Sequence, residues 1–202
     1  MNKLKIFPEI NAIGKDEIAN YPLACYEKKI VLVDADCKVE QAIECLKQES
    51  QLGFDTETRP SFKKGRSYSV ALLQLGTEDC VYLFRLQKLS KLKPIAQLLA
   101  DKTIVKAGVA IHDDIKSLQK KMLFRPGGFV ELQEKVKEFG IENFGLRRLP
   151  PLLLGFRISK NQQLSNWEAS RLSENQMRYA ATDAWVSLLI YRKLEHLNKE
   201  GH

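Results

Sequence analysis

Gln51-Leu-Gly-Phe-Asp-Thr-Glu-Thr58, QLGFDTET, sets two acids, Asp55 and Glu57, into a stretch that otherwise reads as a buried strand. Residues two apart in a strand point to one face of the sheet, so the two carboxylates are neighbours there. Like charges a few ångströms apart repel and raise each other's pKa, and such a pair is tolerated mostly where a cation neutralises it. The alternative reading is a strand end with exposed polar side chains.

Downstream, SVALLQLG (Ser69 to Gly76) and VYLFRL (Val81 to Leu86) flank the short turn Thr77-Glu78-Asp79, the signature of an antiparallel hairpin. The basic loop RPSFKKGRSY separates this hairpin from the acidic strand. Upstream, KIVLVD (Lys29 to Asp34) is a β-branched strand, followed by Asp36 as the expected N-cap of a helix over Val39, Ala42, Ile43 and Leu46. A helix around Leu92 to Leu99 comes next, then a strand TIVKAG (Thr103 to Gly108), then a helix from about Asp113 to Lys121. FVEL (Phe129 to Leu132) reads as a further short strand. From there the chain is helical to its end, broken at Gly140, Pro150-Pro151 and the SKNQQLSNWEAS loop. The whole is an α/β pattern. Residues 1–28, interrupted by Pro8, Gly14 and Pro22, are expected to be a surface segment, and residues 29–202 one domain.

Three more acids stand at element boundaries or inside helices. His112-Asp113-Asp114 directly follows a strand, where an Asp commonly serves as a helix N-cap. In the last helix Ser173 and Gln176 have capping-box spacing, and Met177, Ala180, Ala184, Leu188 and Tyr191 recur every three or four residues. Asp183 falls among Ala180, Ala181 and Ala184, small residues that allow another element to come close. Tyr179, four residues earlier, projects from the same side of that helix.

Composition narrows the classes. Hydrophobic residues make up 44% and charged residues 28% of the 202 positions, which argues against disorder and coiled coil. The net charge of +7 is compatible with a polyanionic partner. The four cysteines, Cys25, Cys37, Cys45 and Cys80, form no C-x-x-C pair, and the three histidines have no zinc spacing, so reduced structural thiols are expected. No apolar run reaches the roughly 18 residues of a bilayer span, and the first residues lack the apolar stretch of a signal peptide. A cytoplasmic protein is expected, with no membrane partner.

The order of these features, a strand D-x-E, a later Asp and a late Y-x-x-x-D, resembles the DEDD exonuclease superfamily in the branch with a catalytic tyrosine. RNase D and the exonuclease domain of the Werner syndrome helicase belong to that branch. FDTET looks like its first motif, KAGVAIHDD its second and YAATDA its third. SNWEASRLSENQMRYAATDAW is similar to the Werner-type domain almost residue by residue. The resemblance spans Lys29 to Glu195. It departs at Thr58-Arg59-Pro60, where the Werner-type domain has an aromatic.

The resemblance implies an RNase H-like fold, a mixed sheet flanked by helices, and 3′-to-5′ exonuclease activity. It implies two divalent ions, Mg or Mn, with oxygen-only ligands that suit hard cations. Carried over, Asp55, Glu57, Asp114 and Asp183 are the four acids and Tyr179 the tyrosine, with Asp113 the neighbour that competes with Asp114. Asp55 would bridge both ions, Glu57 and Asp183 complete one site, and Asp114 hold the other mainly through water. One ion would activate a water for attack, the second would stabilise the leaving 3′ oxygen, and Tyr179 would orient or help deprotonate the water.

The substrate expected is the 3′ end of a nucleic acid, with phosphate contacts from Lys63, Lys64 and Arg66 in the basic loop, from Arg147 and Arg148, and from Lys160 and Asn166. Trp167 is expected to pack. DNA is favoured by the Werner-type resemblance and by the lack of additional C-terminal RNA-binding domains, and a helicase partner acting in trans is a further expectation. The competing readings are an RNase D-like RNA-processing exonuclease and a catalytically silent nucleic-acid-binding module; the presence of all four acids opposes the latter.

Overall fold

Alternation and β-branched content build six strands into one sheet: β1 (Lys29–Val33), β2 (Gln51–Thr58), β3 (Val70–Gly76), β4 (Cys80–Arg85), β5 (Val105–Gly108) and β6 (Phe129–Glu131). The structure is a computed structural model that describes residues 13–61, 68–141 and 145–200. Strand order is β1-β4-β3-β2-β5-β6. β2, β3 and β4 run antiparallel as two hairpin pairs, while β1 on β4, and β5 and β6 beyond β2, add in parallel. The mixed sheet expected from the motifs is the one observed.

Among the described residues seven helices surround it: α1 (Lys15–Ile18), α2 (Val39–Lys47), α3 (Lys93–Ala100), α4 (His112–Gln119), α5 (Leu132–Lys137), α6 (Leu149–Leu154) and α7 (Glu174–Glu200). Phe54, Leu73, Leu75 and Phe84 share one apolar cluster with Val39, Ile43 and Leu46 of α2 and Ile95, Leu98 and Leu99 of α3. The opposite face takes α7, whose Val186, Ile190 and Leu194 share a second cluster with α5 and α6. Although α7 has 27 residues, no described helix is long and apolar enough to cross a membrane.

The entry to α7 is the capping box expected from sequence. Ser173 N donates to Gln176 Oε1 at 3.0 Å, and Gln176 N donates to Ser173 Oγ at 3.2 Å. Asp36 behaves differently from expectation. It opens a 3-10 turn rather than capping α2, and its carboxylate accepts from Ser90 N at 2.8 Å and Lys91 N at 3.0 Å. A side chain expected to act locally instead ties β1's exit to the segment before α3. The cysteines are free.

The described part of residues 1–28 is stitched to the body. Ala24 N donates to Arg157 O and Arg157 N to Pro22 O, both at 2.9 Å. Tyr26 is buried, and its N–H donates to Thr182 Oγ1 of α7 at 2.9 Å.

One close approach positions the site. A Cβ added to Gly53 would lie 1.8 Å from the carbonyl oxygen of Ala184, so α7 lies directly on β2 only because that position has no side chain. Two residues further along the same strand face is Asp55, and next to Ala184 in the helix is Asp183. Gly53→Ala is therefore expected to push α7 off β2. We expect a loss of about 1–3 kcal/mol or more in urea denaturation, as for overpacked cores. Wild-type stability in this variant would contradict the role given to the glycine.

Candidate active site

β2 and α7 bring three acids together. One carboxylate oxygen from each of Asp55, Glu57 and Asp183 lies within 4.8 Å of the others. Glu57 and Asp183 are buried, and Asp55 is partly so. Asp183 accepts from Lys160 Nζ at 2.9 Å through Oδ2, while its Oδ1 is buried without a hydrogen-bond partner. A buried carboxylate oxygen left unpaired is costly unless a cation or water completes it.

The fourth acid approaches from α4. Asp114 Oδ1 accepts from Thr56 Oγ1 at 2.5 Å, and Thr56 is the residue between Asp55 and Glu57. Its neighbour Asp113 is exposed and pairs with Lys116 at 3.6 Å. Neither aspartate is the N-cap of α4, a place held by Ile111. Asp114 is thus the member of the pair that faces the acidic strand.

Electrostatics follow from this crowding. Burial, then Asp183 and Asp114, hold Asp55 well above the usual carboxylate range. Burial, then Asp55 and Asp183, push Glu57 up to about 10. Burial raises Asp183 against the opposing pull of Lys160, and burial raises Asp114 against the Thr56 hydrogen bond. The Tyr179 hydroxyl is held neutral by burial, Asp183 and Glu57. Lys160 Nζ lies 5.4 Å from the centre of the Tyr179 ring, and Trp167 stands 6.0 Å behind that ring.

Glu57 therefore holds a proton in the folded state that the unfolded chain, with carboxylates near 4, has released. Folded-state pKa values above the unfolded ones mean a contribution that is full at low pH and lost as pH rises toward about 10 for Glu57. With chelator present, stability should therefore fall from pH 5 to pH 9, by up to about 1.4 kcal/mol per pH unit per proton. Glu57→Gln should flatten the slope in urea titrations, and a divalent ion should flatten it in the wild type by replacing the protons. A slope unchanged by both would contradict this assignment.

A site of oxygen donors only, with one buried oxygen unpaired and excess negative charge, fits hard divalent cations. Over residues 30–198 the chain matches the family described as 3′-5′ exonuclease. It belongs to that family. The mouse bifunctional 3′-5′ exonuclease/ATP-dependent helicase WRN is 38% identical over 154 residues, covering 72% of this chain and 11% of that protein. The EXO domain of Nibbler from Aedes aegypti superposes with a TM-score of 0.78 at 26% identity, over 88% of this chain and 93% of that one. RNase D from Escherichia coli, an exoribonuclease involved in structured RNA processing, superposes with a TM-score of 0.75 at 20% identity, over 87% of this chain and 46% of that one. The fold is therefore the RNase H-like exonuclease fold that the motifs imply. The family is metal-dependent, and Asp55, Glu57 and Asp183 form an acidic cluster here. The chain spans about a tenth of the mouse relative.

Within this exonuclease domain the expected phosphate-contact residues separate. Lys160 is at the cluster, paired with Asp183. Arg147 and Arg148 stand before α6, whose Leu149 and Leu153 share a cluster with Ile190, Leu194 and Leu197 of α7, beyond the Tyr179 to Asp183 turn. Asn166 uses its side-chain oxygen to accept from Glu168 N at 3.1 Å. Lys63, Lys64 and Arg66 lie outside the described residues. Trp167 packs, as expected, fully buried.

Two supporting residues are not among the site residues expected from sequence. Arg85 is buried in β4 and donates from Nη1 to Ser170 O at 2.9 Å and from Nη2 to Ala169 O. It pins the loop after Trp167. Thr56 holds Asp114. An arginine in an apolar strand could have signalled the first, whereas a threonine in a strand is too common to signal the second.

Proposed function

We propose that the chain is a metal-dependent exonuclease that removes nucleoside 5′-monophosphates one at a time from the 3′ end of a nucleic acid, with DNA preferred over RNA. The observation that carries this reading is the meeting of Asp55, Glu57 and Asp183 within 4.8 Å, with a buried Asp183 oxygen left unpaired. Two Mg or Mn ions suit it: Asp55 would be common to both, Glu57 and Asp183 would complete one site, and Asp114 would serve the other. Once bound, such ions supply an activated water at neutral pH and offset the charge that develops on the phosphate. The chain's own groups do the positioning. Tyr179, kept protonated, orients the attacking water through its hydroxyl. Lys160, drawn into the cluster by Asp183, is within reach of a phosphate held there.

The preference for DNA rests on the likeness to the Werner-type exonuclease, and a helicase acting in trans is part of the same proposal. The test is incubation with 5′-labelled DNA and RNA of one sequence, each with Mg, Mn or chelator, beside a covalently closed circle. A stepwise ladder on linear DNA that needs the metal, with the circle intact, is the expected result. A ladder on RNA alone would move the substrate to the RNase D kind, and nicking of the circle or absence of any ladder would overturn the exonuclease reading.

A further inference from the structure

A concavity shares Tyr179 with the candidate site. It is a cleft of about 290 Å³, close to the roughly 300 Å³ at which small-molecule sites begin. Asn175, Arg178 and Tyr179 line it from one side of α7, and Asn161 and Gln162 line it from the loop that sends Lys160 to Asp183. Leu23 and the two residues after it form the remaining wall. Those residues precede the stretch 30–198 that matches the exonuclease family. A part of the chain outside the family match therefore closes a cleft that shares Tyr179 with the site.

The lining has a defined chemistry. Three primary amides, on Asn161, Gln162 and Asn175, each offer a donor and an acceptor, the combination that pairs with the edge of a base. Arg178 offers a cation. Its Nη2 donates to Glu174 Oε1 at 2.9 Å on the surface, and a guanidinium has further N–H groups for a phosphate. Leu23 is 56% exposed and presents an apolar platform. Among the described residues no carboxylate lines the cleft, so an anionic ligand meets no repulsion at its walls.

We propose that this cleft is a subsite for one nucleotide of the substrate strand, lying at least two positions 5′ to the nucleotide being removed. This rests on the exonuclease reading above. A strand long enough to enter the cleft gains contacts that a dinucleotide lacks, and those contacts hold the strand without touching the reacting atoms.

The test uses the full chain and the double variant Leu23→Ser with Arg178→Gln. The backbone, not the Leu23 side chain, makes the bridge to Arg157, and the Arg178 carbonyl, not its guanidinium, accepts from Thr182, so the fold should survive. Two substrates are compared, a labelled single-stranded DNA of about a dozen nucleotides and a dinucleotide. Binding of the longer strand is measured by fluorescence anisotropy with Ca in place of the active ion, and cleavage of both by steady-state kinetics. The expected result is about a tenfold weaker binding and a matching rise in KM for the longer strand, with kcat and dinucleotide cleavage within about twofold of wild type. Unchanged binding and KM for the longer strand would overturn the subsite while leaving the exonuclease reading intact. An equal loss of kcat on both substrates would also overturn it, because the residues would then act by supporting Tyr179. If the wild type cleaves neither substrate, the exonuclease reading fails and the subsite fails with it.

Discussion

Asp55→Asn should reduce metal-dependent cleavage by at least three powers of ten while leaving the metal-free protein as stable as wild type, or more so. Asp55 lies among the other acids: Asp183 and Asp114 both raise its pKa, and of the three it is the one that raises Glu57 most. A carboxylate shared between two cations contributes several kcal/mol of transition-state charge stabilisation, and each 1.36 kcal/mol is a factor of ten in rate. The amide keeps the shape and removes the anion. In chelator the same change relieves like-charge repulsion in a buried cluster, so melting temperature should hold or rise, the usual trade between an active site and stability. Added Mg or Mn should raise the melting temperature of wild type and do so less for the variant. Near-normal Mg-dependent turnover in Asp55→Asn would remove the metal assignment. A fall in activity accompanied by a large loss of stability would mean that the residue supports the fold instead.

The parts of this site that are legible in sequence are those set by short periods. Asp55 and Glu57 share a face because a strand repeats every two residues, and Tyr179 and Asp183 share a side because a helix repeats every 3.6. The alanines around Asp183 mark a close approach, and the structure supplies its partner in Gly53. Contacts between distant segments carry no such period. Asp36 has the position of an N-cap, yet its oxygens are taken by Ser90 and Lys91 across the fold. Lys160 reads as one basic residue among many, and only tertiary structure sets it on Asp183, 23 residues later. Arg147 and Arg148 read the same way and end up along a different part of α7. Choosing Asp114 over Asp113 is likewise a matter of which side of α4 meets β2, visible in the bond from Thr56 and the exposed pair with Lys116.

Tyr179 and Asp183 sit one helical turn apart and should fail in different ways. Asp183→Asn removes a buried carboxylate of the acidic cluster and leaves Lys160 without its partner 2.9 Å away, so metal affinity and rate should both collapse. Tyr179→Phe keeps the ring that packs on Trp167 and under Lys160. Only the hydroxyl goes, and burial beside Asp183 and Glu57 keeps that hydroxyl protonated, able to donate a hydrogen bond but not to act as an anionic base at neutral pH. Loss of a positioning or proton-transfer group of this kind costs on the order of 10²- to 10⁴-fold in rate. Metal titration and melting temperature of Tyr179→Phe should be close to wild type. A tyrosine that served only as core would give the opposite pattern, with Phe harmless to turnover and only truncation to Ala destabilising, by about 3–5 kcal/mol as for large aromatics. Single-turnover rates, metal titration and melting of the two variants separate these outcomes. Full single-turnover activity in Tyr179→Phe would take the hydroxyl out of the mechanism and leave the chemistry to the four acids alone.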